Sequence, residues 1–390
     1  IRIGDWSSDV CSSDLEHLAL AEKAAAESFV LLKNNGILPL KKEKLHTIGI
    51  IGPNADSRKA LIGNYHGTAS RYVTVQEGLQ DYLGDSVRVL TSVGCDICKD
   101  RVEGLASADD RLSEARSVAE HSDVVILCVG LNEELEGEEG DAGNSYASGD
   151  KGDLLLPESQ RALMEVVAEC GKPVILCLMA GSDIDLSYAR EHFDVILVLW
   201  YPGGEGGRAA AKVLFGEAAP TGKLPVTFYE SLEELPDFED YTMEGRTYRY
   251  MKGKAQYPFG YGLTYGHLEL TGAEIQKNGS GADVTVTVHN PGTEPVTETL
   301  QIYIRNEKSP YAPLHPALAV FGRITVQPGE TLEKRLTLDE SAFTIVDEKG
   351  QRQTAAGTFE IYAGFSQPDE RSVELMGCAP VRLEFQVSRE

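Results

Sequence analysis

The chain has 390 residues, 42% of them hydrophobic, enough for two ordinary domains with separate cores. Its 61 acidic against 36 basic residues give a net charge of -25, which repels nucleic acid and anionic membranes and disfavours phosphorylated ligands, while suiting a neutral substrate such as a sugar. No stretch approaches the roughly 18 uninterrupted apolar residues that span a bilayer, so no membrane partner is expected.

The first fifteen residues, IRIGDWSSDVCSSDL, have no apolar periodicity, and DWSSDVCSSDL resembles a translated sequencing adapter. Residues 1–15 are therefore expected to be a non-native leader, and no function is given to Asp5, Trp6, Ser13 or Asp14. From Glu16 to Asn34, Leu18, Ala21, Ala25, Phe29 and Leu32 recur at helical spacing, which predicts one amphipathic helix stopped by Gly36. Near-continuous apolar runs follow at HTIGIIG (46–52), DVVILCVG (123–130), PVILCLMAG (173–181) and FDVILVLW (193–200). Helical segments separate them: Ser107 opens one that runs to His121, and Pro157 opens another that ends at Gly171. Strand–helix repetition with both strand faces apolar predicts an α/β three-layer sandwich on a mostly parallel sheet.

The pattern changes near residue 262, after YPFGYGLTYG. Beyond it, VTVTVHN (284–290) and TLQIYIRN (299–306) alternate strictly, with NPGTEP and QPGET as turns. Short strands at this spacing predict an all-β immunoglobulin-like sandwich. The expected division is thus a leader at 1–15, an α/β domain at 16–262 and a β-sandwich at 263–390.

Ligands of open parallel sheets bind beyond the carboxyl ends of the strands. The loop after 123–130 is long and acidic there, with Glu133, Glu134, Glu136, Glu138, Glu139, Asp141, Asp150 and Asp153. Crowded carboxylates raise one another's pKa, as a general acid requires; a solvated acidic loop is the equal alternative on charge alone. An EF-hand is disfavoured because the alternate-position ligand spacing is missing. GGEGG (203–207) lacks the spacing of a phosphate loop and reads as tight packing, and IGPNA (51–55) reads as a turn. There is no GxSxG and no HExxH. Seven cysteines include a lone CxxC, Cys95 and Cys98, with no second pair at zinc spacing. No metal and no organic cofactor are expected, and reduced structural thiols favour a cytoplasmic location over secretion.

The ordered motifs SFVLLKNNGILPL (28–40), IGIIGPNAD (48–56), the acidic loop, LLLPESQ (154–160), WYPGGEGGRAAAKVLFGEAAPTGKLPVTF (200–228) and YPFGYGLTY (257–265), followed by the sandwich strands, resemble glycoside hydrolase family 3. The resemblance covers residues 16–390 and implies the family's carboxyl-terminal α/β domain followed by its fibronectin type III-like domain, without the amino-terminal barrel that carries the nucleophile. GNYHGTASRYVTVQEGL (63–79) and LEGEE are most similar to the xylan β-xylosidase branch, with β-glucosidase as near rival. The implied chemistry is a retaining double displacement on a β-linked oligosaccharide or aryl glycoside, with an aspartate on the barrel as nucleophile and a glutamate from this chain as acid/base. Laying Gly137-Glu138 on the family's Gly-Glu makes Glu138 the implied general acid/base, with Glu136 in reserve; Asp150-Lys151 departs from the usual Asp-Arg. Asn64, Tyr65 and His66 offer hydrogen-bonding and stacking groups for a sugar, and the resemblance sets them by the cleft. A non-catalytic carbohydrate-binding module and a nucleotide-binding α/β protein are the competing functions.

Overall fold

The computed structural model describes residues 7–99, 107, 109–138 and 151–388, the first eight of them as backbone only. By compactness the chain divides into residues 1–220 and 221–390.

The first unit is built on a six-stranded sheet: β1 (Val30–Asn34), β2 (Thr47–Ile51), β3 (Arg88–Ser92), β4 (Val124–Gly130), β5 (Val174–Met179) and β6 (Val195–Val198), in the order β1-β6-β5-β4-β2-β3. The five strands from β3 to β6 in that order pair in parallel, and β1 joins β6 antiparallel. Every residue of β4, β5 and β6 is buried, which is why their sequences are apolar without alternation. From β2 the chain steps outward to β3 and then returns to the other side of β2 for β4. Right-handed crossovers therefore send the helix Val75–Leu83 to one face and Asp110–Glu120 and Glu158–Glu169 to the other, the three-layer α/β arrangement expected. Cys128 and Cys177 are opposed in register and fully buried; their mutual hydrogen bond, with burial, holds the Cys128 thiol well above its usual range.

The predicted helix at 16–34 is two elements. A helix runs Ser7–Ser28, and after Phe29 the chain enters β1 at Val30. Phe29, Val30, Leu31 and Leu32 are all at most 2% exposed. Four consecutive buried positions exceed what one helical stripe supplies, so pairing with β6 overrides the periodicity. The Asn34 side chain then closes the turn, accepting from the Gly36 and Leu38 amides, both at 3.1 Å. β3 had no counterpart in the sequence reading, because this edge strand begins on an exposed Arg88 and is only partly buried.

Helix Val75–Leu83 starts on a capping box: the Glu77 amide donates to Thr74 Oγ1 at 3.2 Å, and the Thr74 amide to Glu77 Oε2 at 2.9 Å. It packs on helix Gly206–Leu214 with almost no space between backbones; a Cβ at Gly207 would lie 1.8 Å from the Thr74 carbonyl oxygen. The GGEGG run is thus tight packing, of helix on helix.

The sandwich of the second unit is made of two antiparallel sheets, as the alternation predicts. One has strands Thr331–Leu338, Gly281–His289 and Glu269–Asn278; the other has Ala317–Val326, Val296–Arg305, Gly357–Gly364 and Val381–Val387. Val284, Val286 and Val288 face Leu300, Ile302 and Ile304 in one core. Gln301 and Tyr303 on the opposite face are buried too: the Gln301 amide donates to the Gly260 carbonyl at 2.9 Å and accepts from Tyr303 Oη at 2.6 Å. The YPFGYGLTY segment covers that face.

Candidate functional site

The chain leaves β2 and β4 in opposite directions, and this is where an open parallel sheet leaves a crevice at its carboxyl ends. The loops after β2, β4, β5 and β6 meet there. Asn54, fully buried, joins the first two: its amide nitrogen donates to the Leu131 carbonyl at 3.2 Å. Gln160, from the LLLPESQ motif, holds the end of β4, accepting from the Gly130 amide and donating to the Gly130 carbonyl, both at 2.8 Å.

The acidic loop begins as a hydrogen-bonded turn, with the Leu135 and Glu136 amides donating to the Asn132 carbonyl at 3.1 and 2.9 Å. That turn carries Glu136 back over the loop after β5. Glu136 Oε2 accepts from the Gly181 amide at 2.8 Å and from the Tyr201 hydroxyl at 2.5 Å. Burial, then the charge and hydrogen bond of Glu136, push the Tyr201 phenol far above its ordinary value. Glu136 Oε1 is buried with no hydrogen-bond partner among the described residues. Gly181 leaves room for this arrangement: a Cβ there would come within 3.0 Å of the Tyr201 ring and 3.2 Å of Glu136 Oε2. Trp200, just before Tyr201, has φ of 58°, a left-handed conformation that costs about 1–3 kcal/mol outside glycine and clusters at functional sites. Lys151 donates to the Asp183 carbonyl at 2.6 Å; burial lowers its pKa, against the opposing pull of Glu136, Asp183 and Asp153.

Glu138, two residues beyond Glu136, is exposed at the end of the described part of the loop. Glu139, Asp141 and Asp150 lie outside the described residues. Of the trio at 64–66, Tyr65 is 83% exposed, and His66 reaches the acidic loop, its Nε2 3.6 Å from Glu133 Oε2. Lys59 pairs with Glu134 and, at 3.6 Å, with Glu133; these contacts raise its pKa, the Glu134 hydrogen bond most. Asn64 follows Gly63, where the Tyr201 ring packs so closely that a Cβ would sit 2.7 Å from it. The structure thus brings His66 to Glu133, and Glu136 to Tyr201. Sequence reasoning missed Tyr201 and Lys59 as members, and met Lys151 only as a departure from the usual Asp-Arg. Tyr201 was accessible from its place just beyond an apolar strand run; Lys59 carried no comparable signal.

A carboxylate fixed by two donors beside an exposed carboxylate, a histidine and a tyrosine makes a polar, mixed-donor surface suited to hydroxylated ligands. Among the described residues no group of three or more His, Cys, Asp or Glu is placed to hold a metal ion.

Residues 29–265 match the model of the glycosyl hydrolase family 3 C-terminal domain, and residues 298–367 match a fibronectin type III-like domain. The chain is 33% identical over 368 residues to a β-xylosidase of Formosa agariphila, covering 90% of this chain and 48% of that protein. It is 30% identical over 399 residues to a periplasmic β-glucosidase of Salmonella typhimurium, covering 93% and 51%. A crystal structure of a family 3 β-glucosidase from Bifidobacterium adolescentis superposes with a TM-score of 0.79 at 29% identity, over 98% of this chain and 55% of that one. The chain spans about half the length of the relatives it matches. Sheet order, sandwich and matched models agree, and the chain belongs to glycosyl hydrolase family 3, carrying its C-terminal domain followed by a fibronectin type III-like domain.

Proposed function

We propose that this chain supplies the general acid/base and part of the sugar site of a retaining exo-β-glycosidase, foremost a β-xylosidase acting on xylo-oligosaccharides. The supporting observation is the division of labour in the acidic loop: Glu136 is held by Gly181 and Tyr201, while Glu138 stays exposed at the carboxyl-end crevice. In this reading Glu138 protonates the leaving glycosidic oxygen and later takes a proton from water, and Glu136 fixes the loop. Asn64, Tyr65 and His66 line the leaving-group side. The nucleophile is an aspartate of the family's barrel, held about 5–5.5 Å from the acid/base. The β-glucosidase relative supports glucose as the second substrate reading.

The present chain alone is expected to show no turnover of aryl β-xylosides or β-glucosides, because no nucleophile faces the anomeric carbon. Joined to a family barrel, it should gain activity. In that protein Glu138→Gln should slow turnover by about 10²–10⁴-fold, and azide should restore rate on an activated aryl glycoside with release of the β-glycosyl azide. Azide rescue of Glu136→Gln in place of Glu138→Gln would move the assignment to Glu136. Turnover by the bare chain would overturn the proposal.

A further inference from the structure

We infer that Lys59 is a positioning residue for the general acid, an ammonium that ties the first turn of the acidic loop to the segment carrying Asn64, Tyr65 and His66. The inference rests on the reading of this loop as the source of the acid/base.

Lys59 stands on a fixed base. It opens the short helix Lys59–Ile62, in which Ala60 and Leu61 are fully buried. The Ala60 amide donates to Ser57 Oγ at 3.3 Å, and the Leu61 carbonyl accepts from the Gly203 amide at 2.7 Å. From that base the half-exposed side chain reaches two consecutive carboxylates, donating to Glu134 Oε1 and lying 3.6 Å from Glu133 Oε1. Adjacent carboxylates repel each other, and a shared cation is what turns both to one point. The second oxygen of Glu133 is the one that lies 3.6 Å from His66 Nε2. Glu133 therefore stands between Lys59 and the residue assigned to the leaving-group side.

The sheet order gives this contact its consequence. β4 lies between β5 and β2, so the loop after β4 has a neighbouring loop on each side. On the β5 side Glu136 is held by the Gly181 amide and the Tyr201 hydroxyl. On the β2 side the ties are Asn54 to the Leu131 carbonyl and Lys59 to Glu133 and Glu134. Glu138 follows two residues beyond the last of these ties. An exposed ion pair adds little to stability, so losing Lys59 acts on where the loop holds Glu138 and not on whether the chain folds.

The test uses the chain joined to a family barrel and reads kcat/KM, which reports the first chemical step. A dinitrophenolate departs without a proton, whereas the sugar alkoxide leaving from xylobiose needs one, so a misplaced acid slows only the second substrate. Lys59→Met should lower kcat/KM on xylobiose by about 10–100-fold and on dinitrophenyl β-xyloside by less than about threefold, with the melting temperature unchanged. Glu134→Gln should show the same split from the other partner, and Lys59→Arg should keep the parent values. In the present chain by itself, Lys59→Met should speed hydrogen exchange at the Leu135 and Glu136 amides by about tenfold. Equal loss on both substrates, or no loss in Lys59→Met and Glu134→Gln, overturns the inference, and so does unchanged exchange at those two amides. Glu138→Gln in the barrel-joined protein separates this inference from the reading beneath it. A split in Glu138→Gln without one in Lys59→Met removes Lys59 and leaves the acid/base assignment standing; a split in Lys59→Met without one in Glu138→Gln moves the acid to another carboxylate of the loop and leaves Lys59 as its positioning residue.

Discussion

Glu136 and Glu138 sit in one run of five glutamates, and Gly181 and Tyr201 make the difference between them. A hydrogen bond to a charged group contributes about 1.5–3 kcal/mol, so Tyr201→Phe should destabilise the first unit by that order, read from urea unfolding. The effect should depend on pH in one direction. The ordinary tyrosine value is about 10, and burial with the Glu136 charge holds Tyr201 far above it. Its contribution is therefore whole below about pH 10 and is lost as pH rises beyond that, because the unfolded phenol ionises first. The stability gap between parent and Tyr201→Phe should stay constant from roughly pH 6 to 9 and shrink above about pH 10. A flat gap to higher pH would remove Tyr201 from the cluster. The residue types of this site were legible as an acidic loop at a strand end. That Tyr201 holds Glu136 was not, since the two are 65 residues apart.

At the scale of the element, the helix Ser7–Ser28 and β1 show how far periodicity carries. Leu18, Ala21 and Ala25 do share a helix, but Val30 to Leu32 belong to a strand, because a short apolar run such as Phe29–Leu32 fits either state until a partner is present. β6 is that partner. Two outcomes follow from the burial along this stretch. Leu15 is 68% exposed and Leu20 63%, so deleting residues 1–15 should move the melting temperature by less than about 2 °C. Leu31 is fully buried in the sheet, and Leu31→Ala should cost about 2–5 kcal/mol by chemical denaturation. If the deletion proves the more damaging change, the leader is part of the fold.

For the whole molecule, the change of sequence pattern at Gly262 and the division of packing at Pro220/Thr221 mark different things. Residues 221–262 follow the α/β pattern in sequence, and the matched family model runs to 265, yet in packing they belong to the second unit. Lys223 and Glu298 form an ion pair of 2.7 Å with side chains 10% and 4% exposed, and Lys223 also donates to the Gly262 carbonyl at 2.6 Å. A fragment 221–390 should therefore unfold cooperatively, as followed by circular dichroism, whereas 263–390 strips the cover from Gln301 and Tyr303 and should be far less stable. Lys223→Met, which leaves Glu298 buried without its cation, should cost about 3–5 kcal/mol; equal stability of the two fragments would place the boundary at Gly262. The sequence by itself determined the two fold classes and the family resemblance, because apolar period, turn residues and the motifs that carry the resemblance are local properties of the chain. Only the tertiary structure decided that Val30–Leu32 form a strand, that Tyr201 and Gly181 hold Glu136, and that residues 221–262 cover the sandwich. Each of those depends on a partner distant in sequence, and the free energy of burial and pairing appears only once the two surfaces meet.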